Sequence, residues 1–398
     1  MQSTIYIILI IVFVATFIYF ASPDTDKRSL LPASVVPVPD SEDSAQSADS
    51  QVEPDVILQE PVTKQVRAAP STPSPTLIDT LITDGPKEDQ IIEDTNKVTF
   101  EFEAQIYSSE ISQYVYFETR MPGFDDRWIS TAYQTHTVTL EPGTNEYTFE
   151  VRAKSGQYVD PTPAKRTFKI SVSPYFEKVI ISQVKPETSA QPSLITLNSQ
   201  LSPNEQINIT GWSLEGWDGK VTIPQGVEQY FHFYKSNVNE DIVLQWGERV
   251  LLSSAYNPLG RDRNFRTNQC LGFLTNTFDF PIPIPLNCPR PESNDISHLD
   301  PCCQQFINAL RSCQIPDFSD EAVLSLGSEC LSYLKENLNN IACFANYFQN
   351  TDFLGNEWHI YLNNKNIVAS YNCDTLYLYD KNGLLVDEYS YGQSVCRR

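Results

Sequence analysis

The sequence predicts a mainly β protein. Two β-sandwich domains stand in series, the second with a Cys-rich helical insertion, behind an N-terminal transmembrane helix and a disordered linker. Three observations predict this. Apolar residues alternate with period two in many short runs beyond residue 97, as in Val98-Thr-Phe-Glu-Phe-Glu-Ala104. All nine cysteines lie beyond residue 269, beside two runs with helical spacing. Residues 4–21 carry no charge.

The run Thr4-to-Ala21 is just long enough to cross the hydrocarbon core of a bilayer. A cleaved signal peptide is disfavoured by the length of the apolar region and by Tyr19 at the −3 place relative to Ala21. Lys27 and Arg28 after the span pull toward a cytoplasmic C-terminal side. The cysteine cluster requires an oxidising side, and that argument places the C-terminal bulk outside the membrane. Residues 22–95 are rich in Pro, Ser, Thr and acidic residues and read as an extended spacer; Thr76-to-Ile82 within it reads as a transient helix or sticky segment at most. The net charge of −22 over 398 residues disfavours a nucleic-acid surface, which needs clustered Lys and Arg.

Residues 97–173 read as a first sandwich, with strands at Val98–Ala104, Tyr114–Thr119, Thr135–Leu140, Tyr147–Ala153 and Lys165–Ile170. The run Leu140-to-Ala153, with Asp160-Pro-Thr-Pro-Ala164 after it, resembles bacterial immunoglobulin-like and fibronectin type III-like modules. The resemblance implies a tyrosine corner at Tyr147 and a core position for Trp128. A short join, Ser171–Phe176, implies a restricted angle to the next module.

Residues 177–398 read as a second sandwich. Ile207-Asn-Ile-Thr-Gly-Trp-Ser-Leu214 alternates, with Gly211 marking a bulge or a close approach; Ile242–Val250 and the Leu376–Val386 hairpin, turning at Asp380-Lys-Asn-Gly383, repeat the pattern. These pieces, in this order, resemble the lamin-tail domain, an immunoglobulin-like β-sandwich. The resemblance implies fold and says little about activity. Trp212 and Trp246 read as core; Trp217, between Gly216 and Asp218, reads as an exposed binding aromatic.

An insertion over about residues 270–350 interrupts this sandwich. The Pro-rich Phe280–Pro289 must be extended. Asp300-Pro301 reads as N-cap and first helical residue of a helix carrying Cys303, Phe306, Ile307, Leu310 and Cys313 to Pro316; Cys330, Leu334, Leu338 and Ile341 mark a second stripe. Cys270, Cys288, Cys302, Cys303, Cys313, Cys330, Cys343, Cys373 and Cys396 are disulfide candidates, and their odd number leaves one thiol unpaired or shared between molecules. Zinc on His298, Cys302, Cys303, Cys313, Cys330 and Cys343 is the sharper alternative, weakened by the absence of any C-x-x-C pair. A Cys–His nucleophile pair is weaker still, because nothing singles out one activated thiol.

No Gly-rich phosphate loop, G-x-S-x-G elbow or H-E-x-x-H motif occurs, so no cofactor and no catalytic residue is assigned. The expected role is a non-catalytic, single-pass surface binding or adhesion protein with a protein or glycan partner, or an envelope scaffold. The alternative is an accessory component of an extracellular nuclease or hydrolase system, with a site in the insertion.

Overall fold

The computed structural model describes residues 77–111, 114–232, 237–363, 369–370, 372 and 373–392. The expected anchor at 4–21 and most of the expected linker lie outside them. Among the described residues no helix is long and apolar enough to cross a membrane.

The first sandwich contains β1 (Ile78–Asp84), β2 (Gln90–Ile92), β3 (Lys97–Ile106), β4 (Tyr116–Met121), β5 (Asp125–Thr131), β6 (Thr135–Thr139), β7 (Thr144–Ser155), β8 (Tyr158–Val159) and β9 (Ala164–Ser171). One sheet runs β1-β3-β6; the other runs β2-β9-β7-β4-β5, with β8 on β7. Alternate residues of both sheets meet in a core of Phe100, Phe102, Phe117, Phe149 and Phe168, and the Phe100 and Phe149 rings stack at 3.9 Å.

Two expectations change here. The stretch read as the end of the linker is strand β1, paired along its length with β3. Its Ile78 and Thr80 point inward, and the Thr80 hydroxyl donates to Asp160 while accepting the Ala153 amide, so this buried polar side chain is satisfied. Trp128 is not in the core. It stands on the outer face of its sheet between the guanidinium groups of Arg120 and Arg152, 4.4 and 4.1 Å from the ring centroid. Those arginines also pair with Glu150 and Glu118, so the indole is one layer of a charged ladder. Tyr147 makes the corner contact, its hydroxyl donating to the Glu141 carbonyl at 3.3 Å.

The second sandwich contains β10 (Val179–Lys185), β11 (Leu194–Ser199), β12 (Ile207–Asn208), β13 (Ser213–Gly216), β14 (Gly219–Thr222), β15 (Val243–Leu244), β16 (Arg249–Ser253), β17 (Phe265–Asn268), β18 (Leu354–Tyr361), β19 (Cys373–Tyr379) and β20 (Leu385–Gly392). A five-stranded sheet, β10-β11-β16-β18-β17, faces a four-stranded sheet, β14-β13-β19-β20, with the pair β12-β15 beside them. Val250, Leu252, Trp358 and Ile360 from the first meet Leu214, Leu376, Leu378 and Val386 from the second, around Trp212.

The run Ile242–Val250 is not one strand. Gln245–Glu248 turns between β15 and β16, with Gly247 at φ +75°, and Trp246 projects from that turn 65% exposed. The alternation through 207–214 is likewise broken: Gly211, at φ +83°, sits in a turn, and Ile209 and Trp212 are both buried. A left-handed glycine lets the chain reverse at low cost, and that resets the inside–outside pattern.

The join between the sandwiches is tied to the second one. Ser173 donates its amide to the Leu385 carbonyl and its hydroxyl to Asp380, and the Glu177 amide donates to the Val386 carbonyl.

Candidate functional site: a groove in the stapled insertion

The insertion leaves and re-enters the second sandwich at one place. Asn268 at the end of β17 is paired with Leu354 at the start of β18, and the Gln269 amide donates to the Phe353 carbonyl at 3.0 Å. The intervening residues form a lobe with its own core. A 3-10 helix over Leu271–Asn276 opens it, followed by the Pro-rich segment, then α1 (Pro301–Ala309), α2 (Glu321–Leu324), α3 (Ser328–Asn337) and α4 (Asn340–Tyr347). In the Pro-rich segment Ile282 and Ile284 are buried while Pro281 and Pro283 are exposed. The two isoleucines join Leu271, Leu274, Phe265 and Tyr361 on the outer face of the five-stranded sheet, which is thereby covered at its β17-β18 side.

Asp300 caps α1, its carboxylate accepting the Cys302 amide at 2.8 Å, with Pro301 at the first position. The helix ends earlier than the spacing predicts: Leu310 is already extended, and Cys313 lies beyond it at φ +63°. The second stripe breaks too. Asn339 caps a new helix by accepting the Ala342 amide, so Ile341 starts a different helical face and is 49% exposed. A single periodic stripe cannot continue through such a reversal.

Three disulfides staple the lobe: Cys270–Cys343, Cys288–Cys313 and Cys303–Cys330. Cys373 is also disulfide-bonded, and Cys302 is a free, exposed thiol. Cys396 lies outside the described residues. The bonded sulfurs are part of the lobe's core, with Phe273, Leu299, Ile307, Leu334 and Phe353. Gly272 is required by this packing: a Cβ there would lie 2.2 Å from Cys313 Sγ and 3.0 Å from Cys288 Sγ.

Across this lobe runs a half-open groove of about 450 Å³. Phe273, Pro289, Pro291 and Leu338 give it an apolar floor; Tyr333 and Tyr347 stand half-buried in it, with Asp295, Asn337 and Asn346. The break between α3 and α4 brings the two tyrosines to one groove, and the Cys270–Cys343 bridge fixes Phe273 against α4. Asn340 adds a bond from its side-chain amide to the Cys270 carbonyl, 2.9 Å. Among the described residues neither tyrosine hydroxyl has a hydrogen-bond partner. Burial raises both phenols above their ordinary value; Asp295 adds to this at each, and Glu292 at Tyr347.

Of the other residues singled out in the sequence, His298 lies edge-on to Tyr333, ring centroids 6.0 Å apart, outside the groove lining. Cys303, Cys313, Cys330 and Cys343 are consumed in disulfides and offer no thiolate to a metal. Among the described residues no cluster of His, Cys, Asp and Glu could hold a metal ion. Trp217 is 60% exposed, its amide donating to the Asp374 carboxylate. It is remote in sequence from the groove residues and does not line it.

One buried polar cluster has no signal in the sequence. In β18 the Glu357 carboxylate joins the Arg249 guanidinium to the His359 imidazole, whose Nε2 lies 3.1 Å from it. His359 is fully buried against Phe265, and among the described residues its Nδ1 has no partner. Burial depresses the imidazole pKa, and Glu357 is held at about 2, by the His359 hydrogen bond first and by Arg249 as well. The sequence shows His359 in an ordinary strand; its burial comes from the central place of β18 between β16 and β17, with Leu251 and Phe265 beside it.

No protein-family model matches the chain, and no curated protein is similar to it. Among solved structures it is similar to the extracellular domain of a hybrid two component system from B. thetaiotaomicron, at 18% identity and TM-score 0.20, covering 24% of this chain and 16% of that one. It is also similar to the FN1-FN3 domains of chicken CNTN1, at 11% identity and TM-score 0.17, covering 42% of this chain and 58% of that one. The chain thus spans less than two thirds of either structure's length.

Proposed function

We propose that the chain is a non-catalytic binding protein of the cell surface or envelope. An anchor over residues 4–21 and an acidic linker would carry an immunoglobulin-like spacer and a lamin-tail-like sandwich, and the sandwich presents the stapled insertion to a partner. The observation that carries this reading is the groove in the insertion: a cavity of about 450 Å³ with an apolar floor and a few free polar groups falls within the range of small-ligand sites. Cross-linking by disulfides favours an extracytoplasmic location and a rigid surface that loses little entropy on binding. The net charge of −22 disfavours a polyanionic partner such as nucleic acid.

Because the insertion is entered and left at neighbouring strand ends, it can be replaced. A chain with residues 270–352 exchanged for a short Asn-Gly turn keeps β17 and β18 in register. With Phe265→Thr and Tyr361→Thr added, so that the sheet face uncovered by the loss of Leu271, Leu274, Ile282 and Ile284 is not left apolar, this chain is expected to retain the circular-dichroism signature of both sandwiches and to lose binding to cells. Undiminished cell binding by this variant would rule out the insertion as the recognition element.

A further inference from the structure

We propose that the groove is a site for a neutral oligosaccharide, a proposal that rests on reading the insertion as the recognition element. Three features of the groove point to this chemistry. Tyr333 and Tyr347 offer aromatic rings, which stack against the C–H faces of pyranose rings, and both hydroxyls remain free to bond sugar hydroxyls. Asn346 adds an amide donor and acceptor, Asn337 its Oδ1, its Nδ2 being held by the Tyr333 carbonyl, and Asp295 the carboxylate oxygen that does not accept the Glu292 amide; such groups bond vicinal hydroxyls. Asp295 is the charged side chain of the lining, with neither Lys nor Arg beside it there, so a sulfated or carboxylated glycan finds no counter-charge while an uncharged one needs none.

A dry peptide groove is a poorer description. Its polar walls would need matching groups on every side, and unpaired polar groups buried under a peptide are costly. Sugars bring a hydroxyl to almost every position. The stapled frame supports the same conclusion, since weakly held, highly hydrated ligands gain most from a site that is already formed.

The test uses the full-length chain, titrated calorimetrically with chitotriose, cellotriose, maltotriose and mannotriose, each up to about 10 mM, the weak end of measurable affinity. At least one is expected to bind, and Tyr333→Ala or Tyr347→Ala to weaken it about tenfold or more. Tyr333→Phe, which keeps the ring, should weaken it only a few-fold. Both tyrosines are half-buried, so unchanged melting of the Ala variants serves as the folding control; if either fails to fold, Asn346→Ala, on an exposed residue, replaces it. Binding by none of the four sugars, or binding unaffected by the Tyr variants, overturns the proposal. So does preferential binding of a Pro-rich peptide spanning residues 68–76 at the same tyrosines. Cell binding that is lost on replacing residues 270–352 while no sugar binds removes the oligosaccharide and leaves the broader reading standing; cell binding that survives that replacement removes both.

Discussion

Breaking the Cys270–Cys343 bridge by the double change Cys270→Ser, Cys343→Ser should unfold the insertion while leaving both sandwiches intact. The bridge joins residues 73 apart and ties the end of β17 to α4. The two inner bridges, spanning 25 and 27 residues, interleave and shorten the loop it closes. Loop-closure entropy for what remains amounts to about 4 kcal/mol at 25 °C. Both sulfurs are buried, at 0% and 3% exposure, so two serine hydroxyls in their place add a further penalty of about 1–3 kcal/mol each if left unpaired. A lobe this small has little reserve against such a loss. Hydrogen exchange should then show amides of α3 and α4 exchanging near the free-chain rate, with those of β7 and β16 as protected as before. Protection of α3 and α4 equal to the wild type would refute the claim that this bridge holds the lobe together.

Gly272→Ala should cost about 1–3 kcal/mol in the same lobe, because the new methyl meets Cys313 Sγ, and the loss should appear as early thermal unfolding of the insertion alone. Trp212→Ala should cost about 3–5 kcal/mol, whereas Trp128→Ala, which loses two cation–π contacts on an outer face, should cost about 1–2 kcal/mol; urea denaturation of both variants measures the difference. His359 has a folded-state pKa below its unfolded value, so the folded state takes up fewer protons. Stability should therefore fall as pH drops below about 6.5, by at most about 1.4 kcal/mol per pH unit, until the folded imidazole itself titrates. Asp387, raised to about 6 by burial, acts in the opposite direction and is unchanged by substitution at 359. The comparison with His359→Gln, which can still donate to Glu357, isolates the histidine: on going from about pH 7.5 to 5.5 the variant's urea midpoint should fall less than that of the wild type, or rise where the wild type's falls, because Asp387 alone then acts in that window.

The sandwiches were legible because their signal is local. Val98–Ala104 and Leu376–Val386 carry their register in side-chain alternation and a turn of fixed chemistry, and both form strands there. The alternation misleads where a turn interrupts the run. Gly247 takes a left-handed conformation, and that single residue separates β15 from β16 and puts Trp246 in solvent. Trp128 lies outside the core for a different reason. Large aromatics usually signal a core, but an indole flanked by guanidinium groups is stable on an outer face, and those arginines come from β4 and β7. The insertion's helix start at Asp300-Pro301 was readable; the pairing of its cysteines was not, because connectivity depends on how the helices fold back. The groove was least visible of all. Tyr333 and Tyr347 lie off the apolar stripes and are fourteen residues apart, and only the cap at Asn339 turns one helix into two and brings them together.

Cell binding by fluorescently labelled full-length chain tests the central claim most directly, with two double variants compared side by side. One is Tyr333→Ala, Tyr347→Ala in the groove; the other is Trp217→Ala, Trp246→Ala at the most exposed tryptophans, on the sandwich itself. If the groove is the recognition element, the tyrosine variant loses binding and the tryptophan variant keeps it. Binding kept by the tyrosine variant and lost by the tryptophan variant would place recognition on the sandwich and contradict the account.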